Sequence, residues 1–235
     1  VIFGASLYSS INGNNDGGTC PMLAEVAPSM NNFEAISQLL LDNEPTVDTP
    51  TAEAISAVAA AFPPADGPRI IVLATDGNPD TCADPDAHDA NSQRLSEEAV
   101  QGAFATQNLE TYVLSVGDDV AVPHLQRLAN AGRGVDLDTG TETFYVANNP
   151  DELLGAFNEI IRGTRTCTFT LDSIVTDPTA GTVTLNGTEL VLDTDWVLTD
   201  QTTLDLIGDA CQTFLNEDIA ELSAEFECGA VIIVD

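Results

Sequence analysis

Two short polar segments of the sequence carry oxygen-bearing side chains in an order that suits metal binding. Asp48-Thr49-Pro50-Thr51 opens a helical pattern, and Thr75-Asp76-Gly77 ends the apolar run Arg69–Thr75. In an open parallel sheet, ligands bind at the carboxyl ends of the strands. A carboxylate and hydroxyls that converge there suit a hard divalent cation, because such ions prefer oxygen ligands. The alternative interpretation is that Asp76 only caps a turn.

The first two-thirds of the chain alternates strand and helix patterns. Arg69–Thr75 is an unbroken apolar run, which is typical of a parallel strand covered on both faces. Thr49–Phe62 has helical spacing and stops at Pro63-Pro64. Strands that alternate with helices predict an α/β fold with a doubly wound, mostly parallel sheet. The other predicted elements are strands at Val1–Tyr8, Thr111–Val116 and Phe144–Val146, and helices at Asn32–Asp42, Ser92–Thr106, Val122–Ala131 and Asp151–Arg162.

The pattern changes near Gly163, where helical spacing gives way to short β-type runs. We therefore predict one domain over residues 1–163 and a small all-β, sandwich-like domain over 164–235. Within the latter, Asn186-Gly187 favours a type I′ turn, so Thr182–Leu192 is predicted to be a hairpin. Asn186-Gly187-Thr188 also matches a glycosylation acceptor, but the turn is a sufficient explanation. The other predicted strands are Thr168–Leu171, Thr203–Ile207, Glu221–Phe226 and Ala230–Val234.

Residues 1–163 resemble a von Willebrand factor type A domain of the bacterial secreted or surface type. Thr75-Asp76-Gly77 is similar to the last metal-ligand loop of that family, and the segment from Asp48 to Ile55 is similar to its middle loop. The resemblance implies a Rossmann-like A domain. Later segments that resemble the family are Tyr112–Gly117, His124–Ala129 and Asp151–Leu154.

This resemblance implies a metal-ion-dependent adhesion site. Thr49 and Asp76 are then metal ligands for Mg²⁺ or Mn²⁺, with Ca²⁺ as a further candidate. Gly77 lets the backbone turn sharply beneath the ion. A protein partner that presents an Asp or Glu carboxylate completes the coordination shell. The residues expected to support the metal loops are Asp48, Thr51, Gly77 and Asp80.

The family's first metal loop, Asp-x-Ser-x-Ser, has no counterpart in this sequence. Ser6, Ser9 and Ser10 do not fit its pattern. We expect the first strand, loop and helix of the domain to lie upstream, so that Val1 begins the second strand. Only two of the family's ligating side chains are then present, which makes a non-functional metal site the alternative.

The five cysteines contain no Cys-x-x-Cys pair, which argues against a zinc site and favours disulfides in an oxidising compartment. Cys20 and Cys82 fall in loops expected at the same end of the sheet, so we predict that they pair. Cys211 and Cys228 would close a loop of ordinary size in the second domain. Cys167 is then left over.

The charge limits the partners. The formal net charge is −32, from 38 acidic residues against 6 arginines, and it should repel nucleic acid and anionic membrane surfaces. No apolar run approaches the roughly 18 residues of a membrane span, so the chain is predicted not to span a membrane. The crowded acids Asp80, Asp84, Asp86 and Asp89 form either a Ca²⁺ loop or a solvated acidic loop, and the solvated loop is favoured.

Together these features predict a secreted or cell-surface adhesion module that binds a protein partner. The alternative is a structural subunit of an extracellular assembly, with contacts through the β-rich domain. An accessory role in an intracellular metal-chelatase or AAA-type machine fits the cysteines poorly. An enzyme ranks last, because neither His88 nor His124 lies in a nucleophile–base motif.

Overall fold

The computed structural model describes residues 2–11, 18–44, 48–65, 67–75, 78–116, 122–217 and 219–233, which form a mixed α/β structure. The chain divides into two units, Val1–Leu153 and Leu154–Asp235. This division falls before the boundary at residue 163 that the change of pattern predicts. It lies within helix α5 (Pro150–Thr164). Six α-helices occur in the described part of the chain.

A three-stranded parallel sheet organises the first unit. Strands β3 (Ile70–Thr75), β4 (Glu110–Val116) and β5 (Tyr145–Ala147) pair in that order, which confirms the predicted parallel strands. Helices α3 (Ala90–Gln107) and α4 (Val122–Gly132) connect them, because parallel strands need a crossover. β4 is buried along most of its length between two neighbours, whereas β3 is only partly buried. Within the described chain, β4 is the only strand that pairs with β3.

The amino-terminal strand forms a separate ribbon. β1 (Phe3–Ser9) pairs antiparallel with β2 (Met22–Ser29), and the parallel sheet does not include either strand. The sequence predicts β1 as a buried strand, but Phe3 is 44% exposed. No strand was expected at β2. Helices α1 (Phe33–Asp42) and α2 (Thr51–Ala61) follow the ribbon, as their periodicity predicts.

Helices α2, α3 and α4 contribute the core of the first unit. Ile55, Val100 and Leu128 belong to the same buried apolar cluster as Leu73 of β3. Apolar helix faces bury against the sheet because that removes them from water. Tyr8 of β1 also packs against this cluster. The core therefore includes side chains from both the ribbon and the parallel sheet.

A buried polar network joins α3 to α4. Nδ1 of His124 donates to Oε1 of Glu97 at 3.0 Å, and Nε of Arg127 donates to Oε2 of the same carboxylate at 3.0 Å. His124 and Glu97 are each 4% exposed. Arg127 also pairs with Asp138, which is exposed. Both oxygens of the buried carboxylate thus have partners, as a buried charge requires.

This network predicts acid-sensitive stability. Burial lowers the pKa of His124 below its ordinary value of 6.5, although Glu97 acts in the opposite direction. The unfolded chain therefore takes up a proton first, and the folded state loses stability as the pH falls from 6.5 through the lowered pKa. We expect the urea concentration at the unfolding midpoint to decrease as the pH is lowered from about 7.5 to about 5.5. His124→Gln should flatten this decline, and an unchanged slope in that variant would exclude His124 as its source.

The described residues of the second unit form three antiparallel sheets, most of helix α5, a short 3-10 helix (Pro178–Ala180) and a further α-helix. Helix α6 (Gly208–Asn216) contradicts the all-β prediction. The sequence gives only a short signal for this helix, because its four apolar residues, Ala210, Cys211, Phe214 and Leu215, extend over fewer than three turns. The sheets are β10 (Trp196–Asp200), β11 (Thr203–Leu206) and β6 (Thr168–Thr170); β12 (Leu222–Phe226), β8 (Gly181–Leu185) and β9 (Thr188–Glu189); and β13 (Val231–Ile233) with β7 (Ser173–Val175).

The core and one turn of this unit follow directly from its sequence. Trp196 is 1% exposed and packs with Leu204 and Leu206. The turn between β8 and β9 has positive φ at Asn186 (52°) and Gly187 (75°), which confirms the predicted hairpin. No helix in the described chain has the length and apolar character needed to cross a membrane.

The disulfide predicted for the second unit is wrong. Cys167 pairs with Cys211, and Cys228 is an exposed free thiol. The backbone explains the pairing, because Leu206 N donates to Cys167 O at 2.8 Å at the end of β11. Helix α6, which carries Cys211, begins two residues later. Loop length alone suggested Cys211–Cys228 and took no account of this strand pairing.

Candidate metal centre

Residues 48–53, which include the first predicted metal loop, lie beside residues 80–82, which follow Thr75-Asp76-Gly77 in the chain. Asp80 N donates to Thr49 O at 3.1 Å, and Thr49 N donates to Oδ2 of Asp80 at 2.5 Å. Cys82 N donates to Oε1 of Glu53 at 2.9 Å, in the first turn of α2. These reciprocal bonds join residues 48–53 to residues 80–82. The other two predicted site residues, Asp76 and Gly77, lie outside the described residues.

The end of β1 contributes a third segment. Ser10 Oγ donates to Oδ2 of Asp48, and Ser9 Oγ donates to Asp48 O at 3.3 Å. Tyr8 shares a hydrogen bond with Thr51 Oγ1 at 3.3 Å. From the sequence alone, Ser9 and Ser10 do not fit the family's Asp-x-Ser-x-Ser loop, so no role at the site is predicted for them. The available signal was their position directly after an apolar strand, which places them at the same edge as the other loops.

The two threonine hydroxyls of the middle loop differ in availability. Thr51 is 3% exposed, and its hydroxyl lies 3.3 Å from Thr49 O as well as 3.3 Å from Tyr8 Oη. The Thr49 hydroxyl makes no hydrogen bond with the described residues. Thr49 therefore has an oxygen available to a ligand, whereas Thr51 fixes the start of the helix.

Asp80 has an electrostatic environment unlike that of the surrounding acids. It is completely buried, and its Oδ1 has no hydrogen-bond partner among the described residues. Burial is the main cause that raises the pKa of Asp80 from 3.8 to about 6. The charges of Asp48 and Glu53 act in the same direction, whereas the hydrogen bond from Thr49 N and the charge of His88 lower this pKa. Oε2 of Glu53 is likewise buried without a partner in the described chain. The centre is therefore acidic, and two of its carboxylate oxygens have no hydrogen-bond partner among the described residues.

A disulfide fixes the loop that carries Asp80. Cys20 and Cys82 are bonded, as the sequence predicts, with their Cα atoms 5.4 Å apart. Cys82 is 3% exposed and lies two residues after Asp80. The bond ties this loop to the segment just before β2. It restricts the movement of the loop without supplying a ligand.

The remaining acids of the loop serve local structure. Oδ1 of Asp89 accepts from Asn91 N and Ser92 N, both at 2.9 Å, and so caps α3. Asp84 and Asp86 are exposed. These positions fit the interpretation as a solvated loop.

The oxygen donors present are of the kind that hard divalent cations prefer. The described residues contain no group of three or more His, Cys, Asp or Glu side chains arranged to hold a metal ion.

No protein-family model matches the chain, and a comparison with curated proteins gives no match.

Proposed function

We propose that this chain is a secreted or cell-surface protein-binding module of the von Willebrand factor A type. The observation that supports it most is the reciprocal pair of hydrogen bonds between Thr49, in the segment that resembles the family's middle loop, and Asp80, four residues after Asp76. The Thr49 hydroxyl and the buried Oδ1 of Asp80, neither of which has a hydrogen-bond partner among the described residues, give further support.

In this proposal, Thr49 and Asp76 hold Mg²⁺ or Mn²⁺, and Asp48 and Ser10 border the site. A bound cation with one open position accepts a carboxylate oxygen from the partner protein. Thr51 holds the start of α2 in place through its contact with Tyr8. Asp80 orients Thr49 through the backbone N–H.

The proposal also includes a doubly wound sheet with one further strand between β1 and β3. Two observations support it. Within the described chain, β1 pairs only with β2, and β3 pairs only with β4. Tyr8 of β1 nevertheless packs against the core cluster that contains Leu73 of β3. A strand at this position is where the A-domain resemblance expects the Asp-x-Ser-x-Ser loop to begin.

The charge of the chain makes the cation essential for an acidic partner. A net charge of −32 repels a carboxylate-bearing protein at a distance. A locally bound divalent cation reverses the sign of the potential where the partner carboxylate arrives. Two disulfides are compatible with an extracellular location.

Water-proton relaxation of bound Mn²⁺ tests the proposed open position. We expect the protein to enhance the relaxation above that of free Mn²⁺, and an aspartate-containing synthetic peptide to reduce the enhancement by displacing water. The peptide's asparagine analogue should have no effect. Thr49→Ala should weaken Mn²⁺ binding, whereas Thr106→Ala, on the exposed face of α3, should not. Equal effects of both peptides would refute carboxylate recognition.

A structural subunit of an extracellular assembly is the second candidate. The observation that favours it is the exposed apolar edge of the second unit, where Ile232 and Ile233 of β13 are 55% and 76% exposed. β13 pairs only with β7 in the described chain, and unpaired edge strands can pair with other chains. Concentration-dependent assembly that persists in a chelator would favour this role.

A further inference from the structure

Two carboxylates of the candidate centre, the buried Asp80 and the half-buried Glu53, each have one buried oxygen without a partner among the described residues. Asp80 uses Oδ2 to accept from Thr49 N, and Glu53 uses Oε1 to accept from Cys82 N. Their other oxygens, Oδ1 and Oε2, are buried and have no partner in the described chain. Buried polar atoms are normally hydrogen-bonded or bound to water or an ion, because an unpartnered one is costly.

The two carboxylates belong to one small cluster. Each accepts a backbone N–H from the opposite segment, so the cluster spans the start of α2 and the loop at Cys82. Asp80 and Cys82 lie two residues apart in one segment, and Thr49 and Glu53 lie four residues apart in the other, so these two bonds bring the carboxylates to the same contact between the segments. Asp80 itself has no exposed surface. Two carboxylates, each with one buried oxygen that has no partner in the described chain, thus lie in one small cluster.

Three kinds of occupant can satisfy such a pair. A proton shared between the carboxyls would need a direct hydrogen bond, and none joins Asp80 to Glu53. A water molecule can donate to both oxygens, but it leaves both negative charges in place. A divalent cation satisfies both oxygens and neutralises both charges.

We propose that Oδ1 of Asp80 and Oε2 of Glu53 bind a hard divalent cation, of the Ca²⁺ or Mg²⁺ class, in an inner site. The inner site is distinct from the proposed adhesion site, whose ligands are Thr49 and Asp76. It joins the loop that contains Cys82 to the first turn of α2. Its role is structural, because it holds the Asp80 loop at a fixed distance from Thr49.

Thermal unfolding of the full chain in Ca²⁺, in Mg²⁺ and in a chelator tests the inner site, with Na⁺ used to equalise ionic strength. The Tm of the parent should rise with cation concentration, since a ligand that binds only the folded state stabilises it. Glu53→Gln and Asp80→Asn each keep the acceptor for the backbone N–H and remove the charge. Both variants should lose the cation-dependent rise.

The control is Asp86→Asn, which removes the same charge at an exposed position of the same loop and should keep the full rise. Without cation, Glu53→Gln and Asp80→Asn should be at least as stable as the parent, because a buried unpaired charge is gone. A full rise in Glu53→Gln would overturn the proposal. No rise in the parent would also overturn it and leave a buried water as the occupant.

Thr49→Ala separates this inference from the proposed function. A cation-dependent rise in Tm that survives in Thr49→Ala and disappears in Glu53→Gln assigns the cation to the inner site alone. That result would refute cation binding at the adhesion site and support the inner site. A rise that disappears in Thr49→Ala and survives in Glu53→Gln would support the adhesion site and refute the inner site.

Discussion

Replacing Cys20 and Cys82 by alanine should lower the free energy of unfolding by about 4 kcal/mol. The disulfide links residues 62 positions apart, so its loss returns a large amount of conformational freedom to the unfolded chain. Cys82 is 3% exposed, which adds a small packing loss to the entropic effect. Urea unfolding followed by far-ultraviolet circular dichroism measures the change.

Cys228→Ala is the matched control, because Cys228 is exposed and unpaired. It should change the free energy of unfolding by no more than about 0.5 kcal/mol. A loss in the double variant that is no larger than in this control would contradict a stabilising role for the disulfide. The double variant should also bind cation more weakly, because the Asp80 loop is no longer tied at Cys82.

Trp196→Ala should destabilise the second unit by about 3–5 kcal/mol. Trp196 is 1% exposed and meets the ring of Phe226 edge-on, with centroids 6.3 Å apart. The substitution leaves a large cavity between Leu204 and Leu206, which belong to the same cluster. Circular dichroism is the suitable probe, because the chain has no other tryptophan to report by fluorescence.

Trp196→Phe distinguishes packing from hydrogen bonding. The indole N–H is buried and has no partner in the described chain, so phenylalanine removes an unsatisfied donor while it keeps most of the aromatic contact. The loss should be under half of that in Trp196→Ala. Equal losses would mean that the indole N–H has a partner that stabilises the fold. Phe33→Ala, at an 80% exposed position of α1, should stay within about 0.5 kcal/mol of the parent.

The parallel strands could be predicted because their sequences permit few alternatives. Ile70–Thr75 is a mostly apolar run of strand length, and Glu110–Val116 is rich in the β-branched and aromatic residues that favour strands. The type I′ turn at Asn186-Gly187 followed from local chemistry alone. In each case, the deciding interaction lies within a few residues of the signal.

The elements that were missed depend on distant partners. Met22–Ser29 contains Pro28 and alternates poorly, and it becomes a strand because β1 pairs with it. Helix α6 is stabilised by a core that includes Trp196 and Leu206 and by the disulfide at Cys211. Sequence spacing does not reveal these partners. The choice of Cys167 over Cys228 has the same cause.

The candidate site was predictable only in part. The proximity of Thr49 and Asp80 follows from the convergence of loops at one sheet edge. The contact between Ser10 and Asp48 depends on the position of a ribbon whose second strand was not expected. The unpartnered oxygen of Glu53 depends on one side-chain rotamer, which the sequence does not determine.

Titration calorimetry with Mn²⁺ and Mg²⁺ on the parent and on Asp76→Ala tests the central claim most directly. Asp76 is the one carboxylate that the resemblance makes a ligand. The account predicts cation binding by the parent that Asp76→Ala abolishes or greatly weakens. Equal binding by both proteins, or no binding by the parent, would contradict a metal-dependent adhesion site and leave an assembly role as the better explanation.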